Sequence, residues 1–327
     1  MSFLISIVCI LATMPILRKC GIVDVPSSRR AHLRPTIRGG GISLVIAFVI
    51  TLIFISCNSH GRIIPAAIVN PVLMVSVVSF WDDVVGISVV NRLVVHFVSS
   101  YLCVSFFISP YLIFRGELHP LLDMTLCVIA LVSFINIYNF LDGIDGISAM
   151  QSIHLSITAI VLCILRDKVI INVDTVFYVS SILLGCSLGF LLFNWNPAII
   201  FMGDVGSTFL GMLHGLNLLI IASSSERLFL ASTIASLYYI ADGGLTILIR
   251  LMRGEKIWLP HLNHFFQQAA RKGMSHAEIV TKISVCNIIL LALAVLSIYT
   301  PHVAIVLSVI TVAYILIHFH GKYLETR

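Results

Sequence analysis

The chain has 327 residues, of which 59% are hydrophobic and only 11% are charged, and its mean hydropathy is +1.06. Because soluble globular domains carry about 25% charged residues, this composition excludes a soluble protein and predicts an integral membrane protein. The net charge of +5 is modest and the basic residues are grouped in a few loops, which argues against nucleic-acid binding. The cysteines form no C-x-x-C pair, so we expect neither a disulfide framework nor a zinc site.

About eleven apolar runs divide the chain, and a membrane-spanning helix needs about 20 mostly apolar residues. No long polar region interrupts them, so the sequence predicts an all-α, polytopic membrane protein with one domain, residues 1–327. The first run lacks a basic n-region and a small-residue cleavage site, so we interpret it as a retained span. In chain order the runs are 1–17, 41–57, 63–80, 93–113, 120–138, 147–165, 175–193, 207–223, 228–249, 284–299 and 303–319.

The basic residues fall mostly on one side of these spans. Loops after odd-numbered spans, together with the C-terminal tail, hold 15 of the 20 Lys and Arg residues. By the positive-inside rule, these loops and the C-terminus are cytoplasmic and the N-terminus is outside. The longest cytoplasmic loop on this assignment is 250–283.

Short polar interruptions that carry acids or histidines follow the third, fifth, seventh and ninth spans, all on the cytoplasmic side. The first contains Asp82 and Asp83, which begin a loop at the end of the third span. Two adjacent carboxylates at a membrane border favour a hard divalent cation such as magnesium, although a solvated helix end is the simpler alternative. Arg92, nine residues beyond Asp83, could hold a phosphate oxygen or act only as a topology anchor.

The second interruption, Asn139–Gly146, reads NFLDGIDG. Asp142 and Asp145 are three residues apart and would lie on one face if the segment is helical. The glycine after each acid permits close approach of the backbone to a ligand. A simple turn explains one Asp-Gly pair but accounts poorly for the doubled pattern.

The third interruption contains Asp204 between Gly203 and Gly206, and it is the best single candidate for a metal ligand. An acid beside a long apolar run is costly unless it is paired, hydrated or bound to a metal. Upstream, Asn194 and Asn196 offer amides for recognition of a base or sugar. Phe201 offers a stacking face for a nucleobase, although packing is the simpler interpretation.

The fourth interruption contains His261 and His264, which would share a helical face and suit a leaving diphosphate. A zinc pair and surface histidines on an interfacial amphipathic helix are the alternatives. Asp242 is an intramembrane acid, which we interpret as a structural ion pair or helix-end contact. The loop Gly21–Gly41 is basic and ends in three glycines, so it could cradle phosphate with Arg38.

Together these residues resemble the polyprenyl-phosphate N-acetylhexosamine-1-phosphate transferases, glycosyltransferase family 4, the superfamily that also contains phospho-N-acetylmuramoyl-pentapeptide transferase. The resemblance covers nearly the whole chain. The motifs that carry it are Asp24–Pro26 with Arg29 and His32, Asp82-Asp83 with Arg92, Asn139–Gly146, Asn194–Ser207 and Pro260–His264.

The resemblance implies that polyprenyl phosphate, expected to be undecaprenyl phosphate, attacks the sugar-bearing phosphate of a UDP-N-acetylhexosamine and releases UMP. It implies Mg²⁺, or Mn²⁺ in its place, held by Asp83 and Asp204, with Asp82 positioning the lipid phosphate or taking a proton from it. Asp142 and Asp145 would then support the nucleotide and the metal. The other implied substrate contacts are Asn139, Asn194 and Phe201 toward the nucleotide, Arg38 and Arg92 toward phosphate, and His261 and His264 toward the diphosphate or sugar.

The sequence alone leaves several alternatives open. The nearest rival is the muramoyl-pentapeptide enzyme, which performs the same chemistry on a different sugar. A transporter could also use intramembrane acids, but it would be expected to carry them near mid-span. Leu262 stands where the branch that initiates O-antigen and other surface glycans often has arginine, which leaves the sugar undefined. The expected setting is the bacterial inner membrane, in contact with membrane lipid, with a homodimer as an option.

Overall fold

The computed structural model describes residues 1–24, 35–58, 65–108, 113–114, 117–166, 169–259 and 261–321. Across these residues the fold is almost entirely helical, as predicted. The helices are α1 (Ser2–Lys19), α2 (Gly41–Asn58), α3 (Pro65–Val85), α4 (Val89–Phe107), α5 (Pro120–Phe140), α6 (Ile147–Arg166), α7 (Val173–Asn194), α8 (Gly203–Ser224), α9 (Glu226–Ala235), α10 (Leu237–Met252), α11 (Phe265–Arg271), α12 (His276–Ser297) and α13 (Pro301–Gly321).

Among the described residues, ten helices are long and apolar enough to cross a membrane, and the pair α9 and α10 forms an eleventh candidate span bent by 69°. Each predicted apolar run overlaps one of these helices or the bent pair, so the prediction of about eleven spans is confirmed. The predicted apolar runs stop at charged residues, whereas the helices continue through those residues. Asp82 and Asp83 lie in the last turn of α3 instead of opening a loop, and Asp204 lies in the first turn of α8.

Helix α8 is the centre of the bundle, and 94% of its most apolar stretch is buried. It packs against α2, α3, α5, α6, α7 and α9. Its N-terminal turn crosses the start of α2 so closely that a Cβ on Gly41 would lie 2.2 Å from the Cα of Gly206. The glycines at this crossing therefore hold the first turn of α8, with Asp204, against the segment that precedes α2.

The bent pair is one broken crossing and not a re-entrant loop. Leu17, near the C-terminal end of α1, lies beside Gly39, which in turn lies beside the start of α8. The C-terminal end of α13 is on this same side, because His320 bonds to Gln268 of α11 at 2.9 Å. Helix α1 therefore begins and α13 ends on opposite sides of the bundle, which requires an odd number of crossings.

A small hairpin, whose two strands have two residues each, connects the first loop to this end of the bundle. Strand β1 (Val23–Asp24) pairs antiparallel with β2 (Thr36–Ile37), and Ile37 makes a parallel bridge to Ile200. The N–H groups of Gly40 and Gly41 donate to the carbonyls of Phe201 and Met202 at 2.9 and 2.8 Å. The expectation that this glycine run cradles phosphate is therefore wrong for these two amides, which are already bonded. Residues 25–34, including Arg29 and His32, lie outside the described part of the chain.

Helix bounds also shorten the predicted loop 250–283. Helix α10 continues to Met252, α11 occupies Phe265–Arg271, and α12 begins at His276. Ser275 caps α12 by accepting the N–H of Glu278 at 3.2 Å. Among the described residues, the non-helical parts of this segment are the connection before α11 and the connection after it.

Candidate active site

A cavity of about 690 Å³ lies at the end of the bundle that carries Asp204. Its wall combines the loop after α5, the segment before α8 and the turn between α11 and α12. Three of the four polar interruptions singled out in the sequence contribute lining residues. Asp82, Asp83 and Arg92 are not among the described lining residues, but Asp83 contacts Arg38 and the first turn of α8, so the four interruptions converge at this end of the bundle. The lining includes Arg38, Asp142, Asp145, Asn194, Asn196, Phe201, Asp204, Leu262, Gln267, Arg271, Ser275 and His276.

Asp83 fixes the first turn of α8. Its Oδ1 accepts the backbone N–H of Asp204 and its Oδ2 that of Val205, both at 3.0 Å. Unpaired N–H groups at a helix N-terminus favour a carboxylate, which explains an acid buried between two helices. Gly203 has φ +73°, and a Cβ there would stand 2.7 Å from Asp83 Oδ2, so only glycine fits this close approach.

Carboxylates and guanidinium groups alternate beside the cavity, which Arg38 and Asp204 line. Arg38 Nη2 lies 2.8 Å from Asp83 Oδ1 and 3.1 Å from Asp204 Oδ1. Arg92 Nη1 bonds Asp82 Oδ2 at 2.5 Å and Asp204 Oδ2 at 3.1 Å. Asp204 is therefore the central carboxylate, with one oxygen facing each arginine. We refer to Asp82, Asp83, Asp204, Arg38 and Arg92 as the acid–arginine cluster.

The acid–arginine cluster and nearby Asp142 carry an excess of negative charge. Burial, followed by repulsion from Asp204 and Asp83, raises the pKa of Asp142 to about 7. Burial alone would lower the pKa of Arg38, but Asp83 and Asp204 outweigh it and raise that pKa above its ordinary value. Four carboxylates thus face two guanidinium groups, and they leave two negative charges uncompensated when all are ionised.

The donor chemistry of the acid–arginine cluster fits a divalent cation. Among the described residues no group of three or more His, Cys, Asp or Glu side chains is arranged as a metal site. Mg²⁺ does not need one, since it is commonly bound by one or two carboxylates, with substrate phosphates and water completing its shell. Asp83 and Asp204 supply two such carboxylates, and the excess charge matches a dication.

The segment with Asp142 and Asp145 is not helical, so the condition for a shared helical face is not met. Asp145 Oδ2 accepts from Asn196 Nδ2 at 2.8 Å and from the Ala198 N–H at 3.1 Å, and it lies 3.4 Å from His276 Nδ1. Burial opposes ionisation of Asp145, but the hydrogen bonds from His276 and Asn196 and the charge of His276 together lower its pKa.

The predicted amide residues mainly hold backbone in place. Asn194 accepts the Gly146 N–H at 3.1 Å and donates to the Ile200 carbonyl at 2.8 Å, which joins the two loops of the cavity wall. Asn139 Nδ2 donates to Ser207 Oγ at 2.9 Å, and neither residue is among the described residues that line the cavity. Phe201 does line the cavity, as a base-stacking residue would.

The histidine segment differs from its prediction. His264 is the N-cap of α11 and His261 precedes it in irregular backbone, so the expectation that they share a helical face is wrong. Burial, followed by the neighbouring His264 and Arg250, lowers the pKa of His261 to about 4. Neither imidazole is among the described residues that line the cavity, whereas Leu262 and Gln267 are. Pro260 lies outside the described residues.

Asp242 holds the start of α11 through hydrogen bonds. It accepts from the backbone N–H of Phe265 at 3.0 Å, from Phe266 at 3.4 Å and from the Tyr238 hydroxyl at 3.1 Å, and His264 Nδ1 lies 3.2 Å away. Asp242 thus satisfies the first turn of α11, and the interpretation of it as a helix-end contact is confirmed.

Sequence reasoning missed the wall contributed by α11 and α12. Gln267, Arg271, Ser275 and His276 line the cavity. A signal was present, because Ser275 followed three residues later by Glu278 is the pattern that starts a helix. It would have placed the beginning of α12, and therefore His276 at a helix N-terminus, within the predicted cytoplasmic loop 250–283.

Fold and site together define a multi-pass membrane protein with a polar, acid-lined cavity at one end of its bundle. The profile of glycosyl transferase family 4 matches residues 65–223. A "Probable undecaprenyl-phosphate N-acetylglucosaminyl 1-phosphate transferase" of Bacillus subtilis (strain 168) is 28% identical over 289 residues, 84% of this chain and 78% of that protein. Residues 65–223 of the chain are therefore similar to glycosyl transferase family 4, and most of the chain is similar to the Bacillus subtilis protein.

Matches to phospho-N-acetylmuramoyl-pentapeptide-transferases are shorter. The protein of Anaplasma marginale (strain Florida) is 37% identical over 108 residues, 31% of this chain and 29% of that protein. The protein of Desulfotalea psychrophila (strain LSv54 / DSM 12343) is 34% identical over 113 residues, 33% of this chain and 29% of that protein. The chain is therefore matched to these two relatives over less than a third of their length.

Proposed function

We propose that the protein transfers N-acetylhexosamine 1-phosphate from a UDP-N-acetylhexosamine to polyprenyl phosphate, undecaprenyl phosphate in particular, with release of UMP. The observation that carries this proposal is the acid–arginine cluster, which borders a 690 Å³ cavity at one end of the bundle through Arg38 and Asp204. A hydrophobic acceptor can reach such a site from the membrane, and a nucleotide can reach it from water. The Bacillus subtilis relative, whose name describes this reaction, supports the assignment.

In the proposed reaction an oxygen of the lipid phosphate attacks the sugar-bearing phosphorus of the donor. The bond between that phosphorus and the oxygen bridging to the α-phosphate breaks, and UMP leaves with this oxygen. The product is a lipid-linked diphosphate sugar. We favour direct displacement over an aspartyl-phosphate intermediate, because the nucleophile is already anionic and positioning with charge neutralisation supplies most of such catalysis.

Asp83 and Asp204 would hold Mg²⁺, with Mn²⁺ as the alternative, and the ion would neutralise the diphosphate. Asp82, fixed by Arg92 and by the Ile87 N–H at 2.6 Å, would position the lipid phosphate. Arg38 and Arg92 are the nearest cations for phosphate oxygens.

Nucleotide and sugar contacts complete the proposal. Asp142 and Asp145 would support the nucleotide and Phe201 would stack on the uracil, since all three line the cavity. Asn139 and Asn194 would act by holding this wall. His261 and His264 stay predicted contacts of the diphosphate or sugar, and they need movement of the α11 segment to reach the cavity.

The setting follows from charge. We infer that the cavity faces the cytoplasm of a bacterial inner membrane, because 15 of 20 basic residues fall in loops on that side and in the C-terminal tail. The product would initiate O-antigen or another surface glycan. Membrane lipid surrounds the bundle in this reading, and a homodimer stays an option.

Two alternatives are weaker. The muramoyl-pentapeptide transferases match only about a third of this chain, so that activity is not favoured. A transporter would be expected to carry its charged residues at mid-span. Here Asp83 lies in the last turn of α3 and Asp204 in the first turn of α8, at the end of the bundle.

A donor panel tests the reaction. Purified protein with Mg²⁺ and undecaprenyl phosphate is offered UDP-GlcNAc, UDP-GalNAc, UDP-FucNAc, UDP-QuiNAc and the muramoyl-pentapeptide nucleotide. We expect UMP and a lipid-linked product from at least one UDP-N-acetylhexosamine. Release of UMP from none of them would contradict the proposal, and turnover of the pentapeptide donor alone would favour the rival enzyme.

Two natural thiols test the orientation. Cys20 is exposed just beyond α1 on the cavity side, and Cys57 is exposed near the end of α2 on the opposite side. In intact spheroplasts a membrane-impermeant maleimide should label Cys57, and Cys20 only after permeabilisation. Cys20→Ser and Cys57→Ser identify each labelled site. The reverse pattern would contradict a cytoplasmic cavity.

A further inference from the structure

Arg38 lies between the two carboxylates that the proposed function gives to the divalent cation. One nitrogen, Nη2, faces Asp83 Oδ1 at 2.8 Å and Asp204 Oδ1 at 3.1 Å. A magnesium ion binds carboxylate oxygens at about 2.0–2.1 Å, so an ion held by both oxygens needs the gap that Nη2 fills. The guanidinium and the cation therefore compete for the same oxygens.

Of these three side chains, Arg38 is the one that can leave. The Asp83 side chain is 0% exposed and is held by the N–H groups of Asp204 and Val205, whereas the Arg38 side chain is 31% exposed at the cavity wall. Its backbone is anchored separately, through its N–H to the Ile22 carbonyl at 3.1 Å. The guanidinium can therefore move without disturbing the hairpin.

A phosphate offers Arg38 a better partner than it has in this arrangement. It contacts each carboxylate through a single nitrogen, which does not use the parallel two-bond geometry that a guanidinium can form with a phosphate or carboxylate. A diphosphate in the cavity would present such oxygens beside Arg38. Moving to them would free Asp83 and Asp204 for the cation.

Arg92 does not have this property. It bridges Asp82 and the other oxygen of Asp204, Oδ2, and it makes no described contact with Asp83. Removing Arg92 would therefore change the charge of the site without clearing the gap between Asp83 and Asp204. The competition is specific to Arg38.

We propose that Arg38 competes with the divalent cation for Asp83 and Asp204, and that the donor's diphosphate relieves this competition by drawing the guanidinium away. This regulation of the site rests on the proposed function. Its consequence is positive coupling, in which nucleotide tightens cation binding and cation tightens nucleotide binding by the same factor. Cation would then enter productively with the donor and not before it.

The test measures Mn²⁺ affinity by electron paramagnetic resonance on purified protein, without polyprenyl phosphate, so that no turnover occurs. Affinity is compared with and without UDP-N-acetylglucosamine, after correction for Mn²⁺ bound by free nucleotide. For the wild type we expect nucleotide to raise Mn²⁺ affinity by about tenfold. In Arg38→Gln we expect Mn²⁺ to bind about tenfold more tightly without nucleotide, and the coupling factor to fall toward one.

Arg271→Gln is the matched control, because Arg271 lines the same cavity and makes no described contact with either carboxylate. It should keep the wild-type Mn²⁺ affinity in the absence of nucleotide, and Arg38→Lys should keep most of the coupling because the positive charge is retained. A second readout, the rise in melting temperature on adding Mn²⁺ alone, should be larger in Arg38→Gln than in the wild type.

Equal or weaker Mn²⁺ binding by Arg38→Gln without nucleotide would overturn the inference while leaving the metal site standing. The same gain in Arg271→Gln would also overturn it, by showing that net charge and not the contact controls affinity. Absence of Mn²⁺ binding by every variant, with or without nucleotide, would instead remove the proposed metal site itself and the inference with it.

Discussion

Two acids near the same end of the bundle differ in what surrounds them. Asp204 belongs to the acid–arginine cluster, with 22% of its side chain exposed to the cavity and one oxygen facing each arginine. The side chain of Asp242 is 0% exposed, and backbone N–H groups, a tyrosine hydroxyl and His264 surround it.

The different partners suit different roles, ligand binding for Asp204 and stabilisation of the fold for Asp242. The partners of Asp204 are two arginine side chains at the cavity, and Arg38 is the one that we propose a phosphate draws away, so this carboxylate can become available to a ligand. Partners of Asp242 are mostly fixed donors of a helix N-terminus, so its carboxylate completes the fold. The same residue type next to a membrane span therefore serves two purposes, and experiments on the two acids should give opposite patterns.

The largest effect on turnover is expected for Asp204→Asn. The amide keeps the size of the side chain but loses the charge that a cation and both arginines require. We expect UMP release to fall at least about a thousandfold, as it does when a central electrostatic group of an active site is removed. The measurement is UMP release by purified protein, with the yield of folded protein in the membrane as control. Unchanged turnover would contradict the metal assignment.

The largest effect on stability is expected for Asp242→Asn. The amide presents N–H donors to the donors of α11, and leaving buried partners unsatisfied costs about 2–4 kcal/mol of unfolding free energy. Thermal unfolding in detergent measures this cost.

Turnover per folded molecule of Asp242→Asn should stay within a few-fold of the wild type. Lost turnover with unchanged melting would mean that Asp242 and His264 act in the site, as the histidine motif predicts.

Much of this comparison could be anticipated from the sequence. Apolar runs separated by short polar segments define the spans, and the parity of basic loops brings Asp83 and Asp204 to one face. Membrane thickness limits each run to one crossing, which makes this inference strong. The individual partners could not be anticipated, because Arg38 meets Asp83 only through the crossing of α2, α3 and α8.

The remaining errors have physical causes. The mostly apolar run 228–249 predicts one span without indicating a bend, yet α9 and α10 break at Ser236, whose Oγ bonds back to the Ser232 carbonyl at 2.9 Å. The spacing of His261 and His264 predicts a shared helical face, but His264 caps α11 from outside. Helix ends and breaks are decided by hydrogen bonds between elements, which hydropathy does not record.

A pH dependence sharpens the cavity side of the comparison. With a folded pKa of about 7, above its unfolded value, Asp142 keeps its proton in the fold between pH 4 and 7 while the unfolded chain loses it. This group therefore makes the protein less stable as pH rises from 4 to 7, and its full penalty stands above pH 7. Asp142→Asn should remove that slope.

In EDTA, we expect Asp142→Asn to unfold at higher temperature than the wild type at pH 8, with a smaller difference at pH 5. The gain at pH 8 should be on the order of 1–2 kcal/mol after allowance for solvent in the cavity. Asp242→Asn serves as the control that should be destabilised at both values. An equal difference between Asp142→Asn and wild type at both pH values would contradict the raised pKa.

The smallest effect concerns His276, which connects α12 to the cavity through Asp145. Its Nδ1 lies 3.4 Å from Asp145 Oδ2, an oxygen already held by Asn196 and the Ala198 N–H, so His276 adjusts a carboxylate that is otherwise fixed. We expect His276→Ala to raise the KM for the UDP-sugar by several-fold, corresponding to about 1 kcal/mol, with kcat nearly unchanged.

His276→Gln retains a donor at this position and should recover much of the lost affinity. Equal losses in kcat and kcat/KM would instead mean that His276 acts on the reacting phosphates. In that case Asp145 would be a reactive-site carboxylate like Asp204, and not a structural acid like Asp242.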